Sequence, residues 1–194
     1  FMEHGYHTAS LGKVAHHLDD NADHWSETPW RPDYPNDLGT QVNWRDYQGE
    51  ENLKIAASRE DGSALPYEWP DIEDDVYYDG RIANKAVEDI QRLSGSDQPF
   101  FLAVGFLKPH LPFNAPKKYW DLYDADSFTL PDNYYRPKNA PDAAIHNFGE
   151  LRAYANVPKK GQVSDEMAKK LIHGYYACVS YTDAQIGRVL DALE

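Results

Sequence analysis

A single cysteine in 194 residues, Cys178, leaves no internal disulfide to form, so the fold has to stand on packing and hydrogen bonds. Its place on a predicted helix face marks a buried structural thiol, and the redox compartment stays open. Long hydrophobic runs are missing too: no stretch approaches the roughly 18 apolar residues that read as a bilayer span. The opening Phe1-Met2-Glu3-His4 has neither the basic nor the apolar region of a secretory leader, which leaves open a leader outside this sequence. Positive charge is scarce. Against 32 acidic residues stand 19 basic ones, for a net charge of -13, and the acids are scattered rather than gathered in a tail. That balance disfavours nucleic acid or an anionic membrane as the main partner, and an anionic substrate would need a local basic pocket. No internal repeat is present.

What is there is globular material: 41% hydrophobic residues, with five Trp, fourteen Tyr and seven Phe. Phe1 to His4 reads as the tail of a helix closed by Gly5, followed by a strand from Tyr6 to Leu11 that runs into Gly12-Lys13. From Asp19 to Asp75 periodicity disappears and Trp25, Trp30, Trp44 and Trp69 occur among Pro, Asp, Asn and Gly. This is a long irregular segment, with an ordered lid or specificity insertion and a minor aromatic core as its alternatives. Ile82, Ala86, Ile90 and Leu93 then mark a helix over Asp79 to Leu93, stopped at Ser94-Gly95. The uncharged run Phe100 to Leu107, between Pro99 and Pro109, reads as a strand buried on both faces. Pro116 starts a short helix through Tyr123, Pro being suited to a first turn. A last helix, about 40 Å long at 1.5 Å per residue, carries the stripe Met167, Leu171, Tyr175, Cys178, Thr182, Ile186, Val189 and Leu193, apolar except at Thr182. With only two obvious strands, the chain reads as the middle of a larger α/β protein.

Two basic clusters follow those strands. The first is Gly12-Lys13-Val14-Ala15-His16-His17 and the second Lys108-Pro109-His110-Leu111-Pro112-Phe113. In a parallel α/β sheet, ligands bind beyond the carboxyl ends of strands. If the strands are neighbours, Lys13, His16, Lys108 and His110 share one cleft, which would be the positive pocket an acidic protein lacks elsewhere. A lysine suits the oxygens of a sulfate or phosphate ester, and an imidazole with an ordinary pKa near 6.5 can give or take a proton at neutral pH. Pro109 and Pro112 fix φ and stiffen the loop around His110. Two unrelated solvated turns are the alternative. A further alternative takes His16, His17, Asp19, Asp20 and His24 as a zinc or iron site, although neighbouring His16 and His17 would point opposite ways on a strand.

At these residues the chain resembles the type I sulfatases of the alkaline phosphatase superfamily. Gly5-Tyr6-His7-Thr8 with Gly12-Lys13-Val14-Ala15-His16 looks like the family's G-Y-x-T and G-K-x-x-H segment. The run from Pro99 to Phe113 and the helix from Tyr175 to Arg188, Tyr-Tyr-Ala-Cys-Val-Ser-Tyr-Thr-Asp-Ala-Gln-Ile-Gly-Arg, are similar to the iduronate-2-sulfatase branch. The resemblance implies an alkaline-phosphatase-like mixed α/β sheet flanked by helices, incomplete here, with residues 1–194 as the central part of the catalytic domain and 19–75 as its Trp-rich insertion. It also implies a formylglycine nucleophile acting beside Ca2+. Lys13 would contact the sulfate, His16 would take the hydrate's proton to break down the sulfated intermediate, His110 would protonate the leaving alcohol, and Lys108 would be a sulfate or supporting contact. The implied partners are a sulfated carbohydrate and the remainder of the sulfatase polypeptide, in a periplasmic, extracellular or lysosomal setting.

The chain departs from the family in lacking the C-x-[PA]-[ST]-R nucleophile motif and the paired N-terminal metal aspartates. Cys178, in the last helix, is no substitute. The expectation is therefore that formylglycine and every calcium ligand lie outside this sequence and that the isolated chain is inactive. Two other functions stay open: a phosphodiesterase or phosphonate hydrolase of the same superfamily, and a noncatalytic glycan-binding module that keeps the fold.

Overall fold

The computed structural model describes residues 1–17, 20–32 and 44–194. In chain order its strands and α-helices are β1 (His7–Gly12), α1 (Glu50–Ala57), β2 (Tyr67–Glu68), α2 (Tyr78–Ser94), β3 (Phe100–Gly105), β4 (Phe113–Asn114), α3 (Lys117–Trp120), α4 (Gly149–Ala153) and α5 (Asp165–Asp191). Strands β1 and β3 pair in parallel, from His7 opposite Phe100 to Gly12 opposite Gly105. Parallel neighbours need a crossover, and α2 supplies it. Ile82, Ala86, Ile90 and Leu93 recur every three or four residues along α2 and, with Ala83, are all buried. The Ile82 and Ala86 positions pack with Leu11 and Tyr78 against Leu102, Val104, Phe106 and Leu107. Burying one such aliphatic side chain contributes about 1.5–3 kcal/mol, which outweighs the weak intrinsic preferences of the segment. At the start of the chain a 3-10 turn over Met2–His4 is closed by Gly5 at φ 83, a left-handed conformation that glycine adopts without a Cβ penalty.

Three expectations need correction. The first concerns β3, every residue of which is half-buried rather than buried on both faces. Among the described residues it is hydrogen-bonded as a strand to β1 alone, so one side of the ladder has no cover. The second is that the stretch from Asp19 to Asp75 is not irregular throughout. It contains α1 and β2, and β2 pairs in parallel with β4. Helix α1 is anchored by a distant carboxylate: Glu68 accepts from the backbone N–H of Gln48 at 2.7 Å and Gly49 at 3.2 Å, and from Asn52 Nδ2 at 2.9 Å. Local periodicity carries no sign of such a contact.

The third correction is the buried face of α5. Its buried residues are Ala168, His173, Gly174, Ala177, Cys178, Tyr181 and Gln185, whereas Tyr175, Ile186 and Leu193 of the apolar stripe are exposed. Polar side chains turn inward because each finds a partner. His173 Nε2 is 2.8 Å from Trp120 O, Gln185 Nε2 donates to Asp74 Oδ2 at 3.1 Å, and Tyr181 OH donates to Asp74 O at 2.9 Å while accepting from Gly80 N at 2.7 Å. A Cβ at Gly174 would lie 2.8 Å from the Trp120 ring, so glycine permits the close contact of α5 with α3. Ser164 caps the helix by accepting from Met167 N.

The tryptophans of the insertion divide between roles. Trp30 bridges to Leu11, with its N–H donating to Ser10 O and its carbonyl accepting from Gly12 N, and so prolongs the β1 edge. Trp25 stacks on Phe101 at 6.2 Å, Trp69 lies 4.9 Å from Trp120, and Trp44 meets His110 edge-on at 5.3 Å. None of these four insertion tryptophans is fully buried.

Candidate active site

The carboxyl ends of β1 and β3 meet at two glycines. A Cβ on Gly12, whose φ is 71, would sit 2.2 Å from Gly105 O, and one on Gly105 would sit 2.3 Å from the carbonyl carbon of Lys13. That space lets Lys13 N–H donate to Gly105 O at 2.7 Å, which locks the first basic cluster to the end of the second strand. Beyond this point Lys13 Nζ is 3.4 Å from Nδ1 of the exposed His16. Arg31 shapes the turn that carries them, donating to Gly12 O at 3.2 Å, Ala15 O at 2.6 Å and His16 O at 3.3 Å. Sequence reasoning missed Arg31. It lies in the aperiodic segment, and nothing in its spacing ties it to a turn fifteen residues earlier.

The second cluster is held from below. Asp79, near the start of α2 and only 1% exposed, accepts from the backbone N–H of Leu107 at 2.7 Å and of Lys108 at 2.8 Å. Lys108 is buried as well. Its ammonium donates to Pro112 O at 2.6 Å and lies 3.4 Å from His110 O. Burial pushes the Lys108 ammonium below its usual range and the Asp79 carboxyl above its own, the latter opposed by the two backbone N–H donors. The Lys108–Pro109 and Leu111–Pro112 peptide bonds are both cis.

His110 stands clear of this support, exposed on the loop. Its Nδ1 is 2.7 Å from Leu111 O; since a carbonyl only accepts, Nδ1 carries the hydrogen and Nε2 faces outward. Nε2 is 3.6 Å from the Glu150 carboxylate of α4. The structure thus joins Lys13 to His16 and Lys108 to the backbone of the His110 loop, at the same end of adjacent strands. Among the described residues no hydrogen bond links one pair to the other. Lys108 directs its ammonium at backbone carbonyls of its own loop.

A second concentration of positive charge flanks Glu150. A cavity of about 620 Å3 is lined by Arg152, Lys159 and Lys160 with no carboxylate among its lining residues. The Arg152 guanidinium fixes its wall by donating to Asn147 O at 2.7 Å, Pro158 O at 2.6 Å and Gly161 O at 2.7 Å. Lys159 donates to Arg152 O, while Lys160 has no hydrogen-bonding partner among the described residues. Sequence reasoning missed this cavity.

The donor groups among the described residues give no support to metal binding. Among the described residues no three His, Cys, Asp or Glu side chains converge as a cation site. Of the alternative set, Asp19 lies outside the described residues, Asp20 Oδ2 accepts from His17 N at 2.8 Å, and the His16 and His17 rings pack edge to face. Cys178 is fully buried, as expected of a structural thiol; its Sγ lies 3.5 Å from Asn114 O, and burial pushes its pKa up to about 12.

A parallel strand pair with a helical crossover and basic loops at its carboxyl end is part of an α/β protein, and comparison with known proteins names the family. The Sulfatase family model matches residues 1–194, and the chain belongs to that family. It is 31% identical over 206 aligned residues to iduronate 2-sulfatase of Homo sapiens and 30% identical over 207 to that of Mus musculus, with 100% of this chain covered in each case. It is also 28% identical over 201 residues, 97% of the chain, to choline-sulfatase of Rhizobium meliloti. The chain spans 36% of the length of each of these relatives. The iduronate-2-sulfatase-like branch and the mixed α/β fold inferred from the motifs agree with these findings.

Proposed function

We propose that this chain is the central part of a sulfatase catalytic domain, residues 1–194, in a longer polypeptide that hydrolyses the sulfate ester of a carbohydrate. The observation that carries the reading is the Lys13 N–H bond to Gly105 O at 2.7 Å, which holds the Lys13-His16 turn against the strand leading to His110. In this reading Lys13 draws on its charge to bind sulfate oxygens and stabilise the charge that grows on them during S–O cleavage. His16, whose Nδ1 lies 3.4 Å from Lys13 Nζ, would serve as a proton acceptor at the same end of the strand pair. His110 acts as the imidazolium: Nδ1–H stays on Leu111 O, and the second proton, on Nε2, passes to the departing alcohol and leaves neutral imidazole. Lys108 supports the loop that presents His110.

The resemblance that implies these roles also implies a formylglycine nucleophile and Ca2+. The residues present do not fit either: Cys178 is sealed in the core and no cation site is formed among the described residues. Both would be supplied elsewhere in the polypeptide, and no step here passes through them. The anionic character of the substrate is supported by the cavity lined by Arg152, Lys159 and Lys160, which lies on the helix whose Glu150 faces His110. A second acidic group on the glycan, carboxylate or sulfate, would be attracted there.

The test is kinetic, on the full-length protein. His110→Gln is expected to lower kcat for an alkyl or sugar sulfate by about 10²–10⁴-fold, with a far smaller loss for a nitrophenyl sulfate whose leaving group needs no proton. Equal losses on both substrates would remove His110 from the proton-donor role. Wild-type protein that binds sulfated glycan and releases no sulfate would replace the enzyme reading with a binding module.

A further inference from the structure

His110 is exposed, yet what holds its loop is buried and charged. Asp79 uses both carboxylate oxygens on consecutive backbone donors, Leu107 N at 2.7 Å and Lys108 N at 2.8 Å. The next link is the turn itself, closed by His110 N donating to Leu107 O at 3.1 Å. Lys108 then folds its side chain under the turn to hold Pro112 O and, at 3.4 Å, His110 O. Thr182 of α5 completes the support by donating to Lys108 O at 3.3 Å. The chain between β3 and β4 is therefore fixed to α2 at its beginning, to α5 at Lys108, and to itself at Pro112.

Burying a carboxylate is costly unless hydrogen bonds and a counter-charge offset it. Asp79 has both, in two backbone N–H groups and the neighbouring Lys108 charge. An apolar residue at position 79 would avoid the burial cost but leave the Leu107 and Lys108 N–H groups unpaired. The buried acid thus serves the conformation of one turn, and the side chain that turn projects is His110.

We infer that Asp79 is a positioning residue for His110, setting the direction of the imidazole by clamping the Leu107 and Lys108 amides, with Lys108 and Thr182 as its supports. The inference rests on the reading of His110 as proton donor to the leaving alcohol. Proton transfer is sensitive to placement: a shift of about 1 Å in a reacting group can cost a hundredfold in rate.

The experiment is a double-mutant cycle in the full-length protein using Asp79→Asn and His110→Gln, each assayed on an alkyl sulfate and on nitrophenyl sulfate. Asn keeps the shape but presents one acceptor where Asp presents two. Asp79→Asn is expected to lower kcat on the alkyl sulfate by about tenfold or more, and on nitrophenyl sulfate by less than about threefold, with KM within about twofold in both. In the His110→Gln background the same substitution is expected to change kcat by less than about twofold, because its target is gone. Equal losses on the two substrates, or losses that multiply with those of His110→Gln, would make Asp79 a structural residue and overturn the inference while leaving His110 in place. If His110→Gln itself shows no preference between the substrates, the proton-donor reading falls, and this inference falls with it. Should Asp79→Asn fail to accumulate as folded protein, Thr182→Val removes only the hydroxyl on Lys108 O. It is expected to give the same selective loss on a smaller scale, and equal loss on both substrates would again overturn the inference.

Discussion

Gly12 and Gly105 face each other across the last rung of the parallel pair, and neither position has room for a side-chain carbon. The consequence is functional as well as architectural, since the contact brings Lys13 against the end of β3. Gly105→Ala would force backbone atoms of Lys13 and Val14 away from positions 2.3–2.6 Å from the new carbon. The expected destabilisation is roughly 1–3 kcal/mol, the range for overpacking a tight site. Thermal melting of the full-length protein checks it, and an unchanged melting temperature would mean the strand ends are looser than described.

Glu150 and His110 make a contrasting pair, because their 3.6 Å contact is exposed on both sides. Exposed ion pairs contribute only about 0–1 kcal/mol. Glu150→Gln is therefore expected to change kcat by less than about fivefold, far short of the loss expected from His110→Gln. A hundredfold loss would promote Glu150 to a direct part in the proton transfer.

Lys160 offers the cleanest probe of the basic cavity, because Arg152 and Lys159 also hold backbone carbonyls. Lys160→Gln is expected to raise KM for a polyanionic oligosaccharide severalfold, corresponding to about 1 kcal/mol, and to leave nitrophenyl sulfate unaffected. The difference should shrink as salt is added, since exposed charges are screened within about 10 Å at 0.1 M. An identical KM for the oligosaccharide at low salt would remove the cavity from the substrate path.

Asp74 links α3, α5 and the start of α2. Although burial opposes its ionisation, Lys118, Tyr119 and Gln185 together hold its carboxyl below the ordinary value of 3.8. With the folded pKa depressed, this contribution is present above pH 3.8 and is lost as pH falls through the lower folded value. Asp74→Asn is expected to flatten the acid limb of stability, measured as the urea midpoint between neutral pH and the region below 3.8. An unaltered acid limb would show that another carboxylate governs it.

Cys178 shifts the other way, from 9.0 up to about 12, because burial disfavours the thiolate. Between those values the unfolded chain ionises and the folded one does not, so stability attributable to this thiol is complete below pH 9.0 and declines as pH rises toward 12. Alkylation of the native protein by iodoacetamide at pH 9 should be slow and should become fast in urea, since the thiolate is the reactive form. Rapid labelling without denaturant would contradict the burial.

The sequence by itself determined the local elements and the family. Apolar spacing alone placed α2 and the length of α5, uncharged runs placed β1 and β3, and the Gly12-Lys13 and Lys108-to-Phe113 blocks marked the ends where chemistry collects. Tertiary structure decided which face of α5 is buried, because His173, Tyr181 and Gln185 enter the core through hydrogen bonds with Trp120, Gly80 and Asp74. It decided that Lys108 supports its loop, an outcome set by Asp79 twenty-nine residues away. It also formed the cavity beside Glu150, where Arg152 gathers three carbonyls of its own neighbourhood in the chain, an arrangement that has no periodic signature. Periodicity records a residue's neighbours along the chain. A buried charge or a concave basic surface depends on partners that only folding brings within reach.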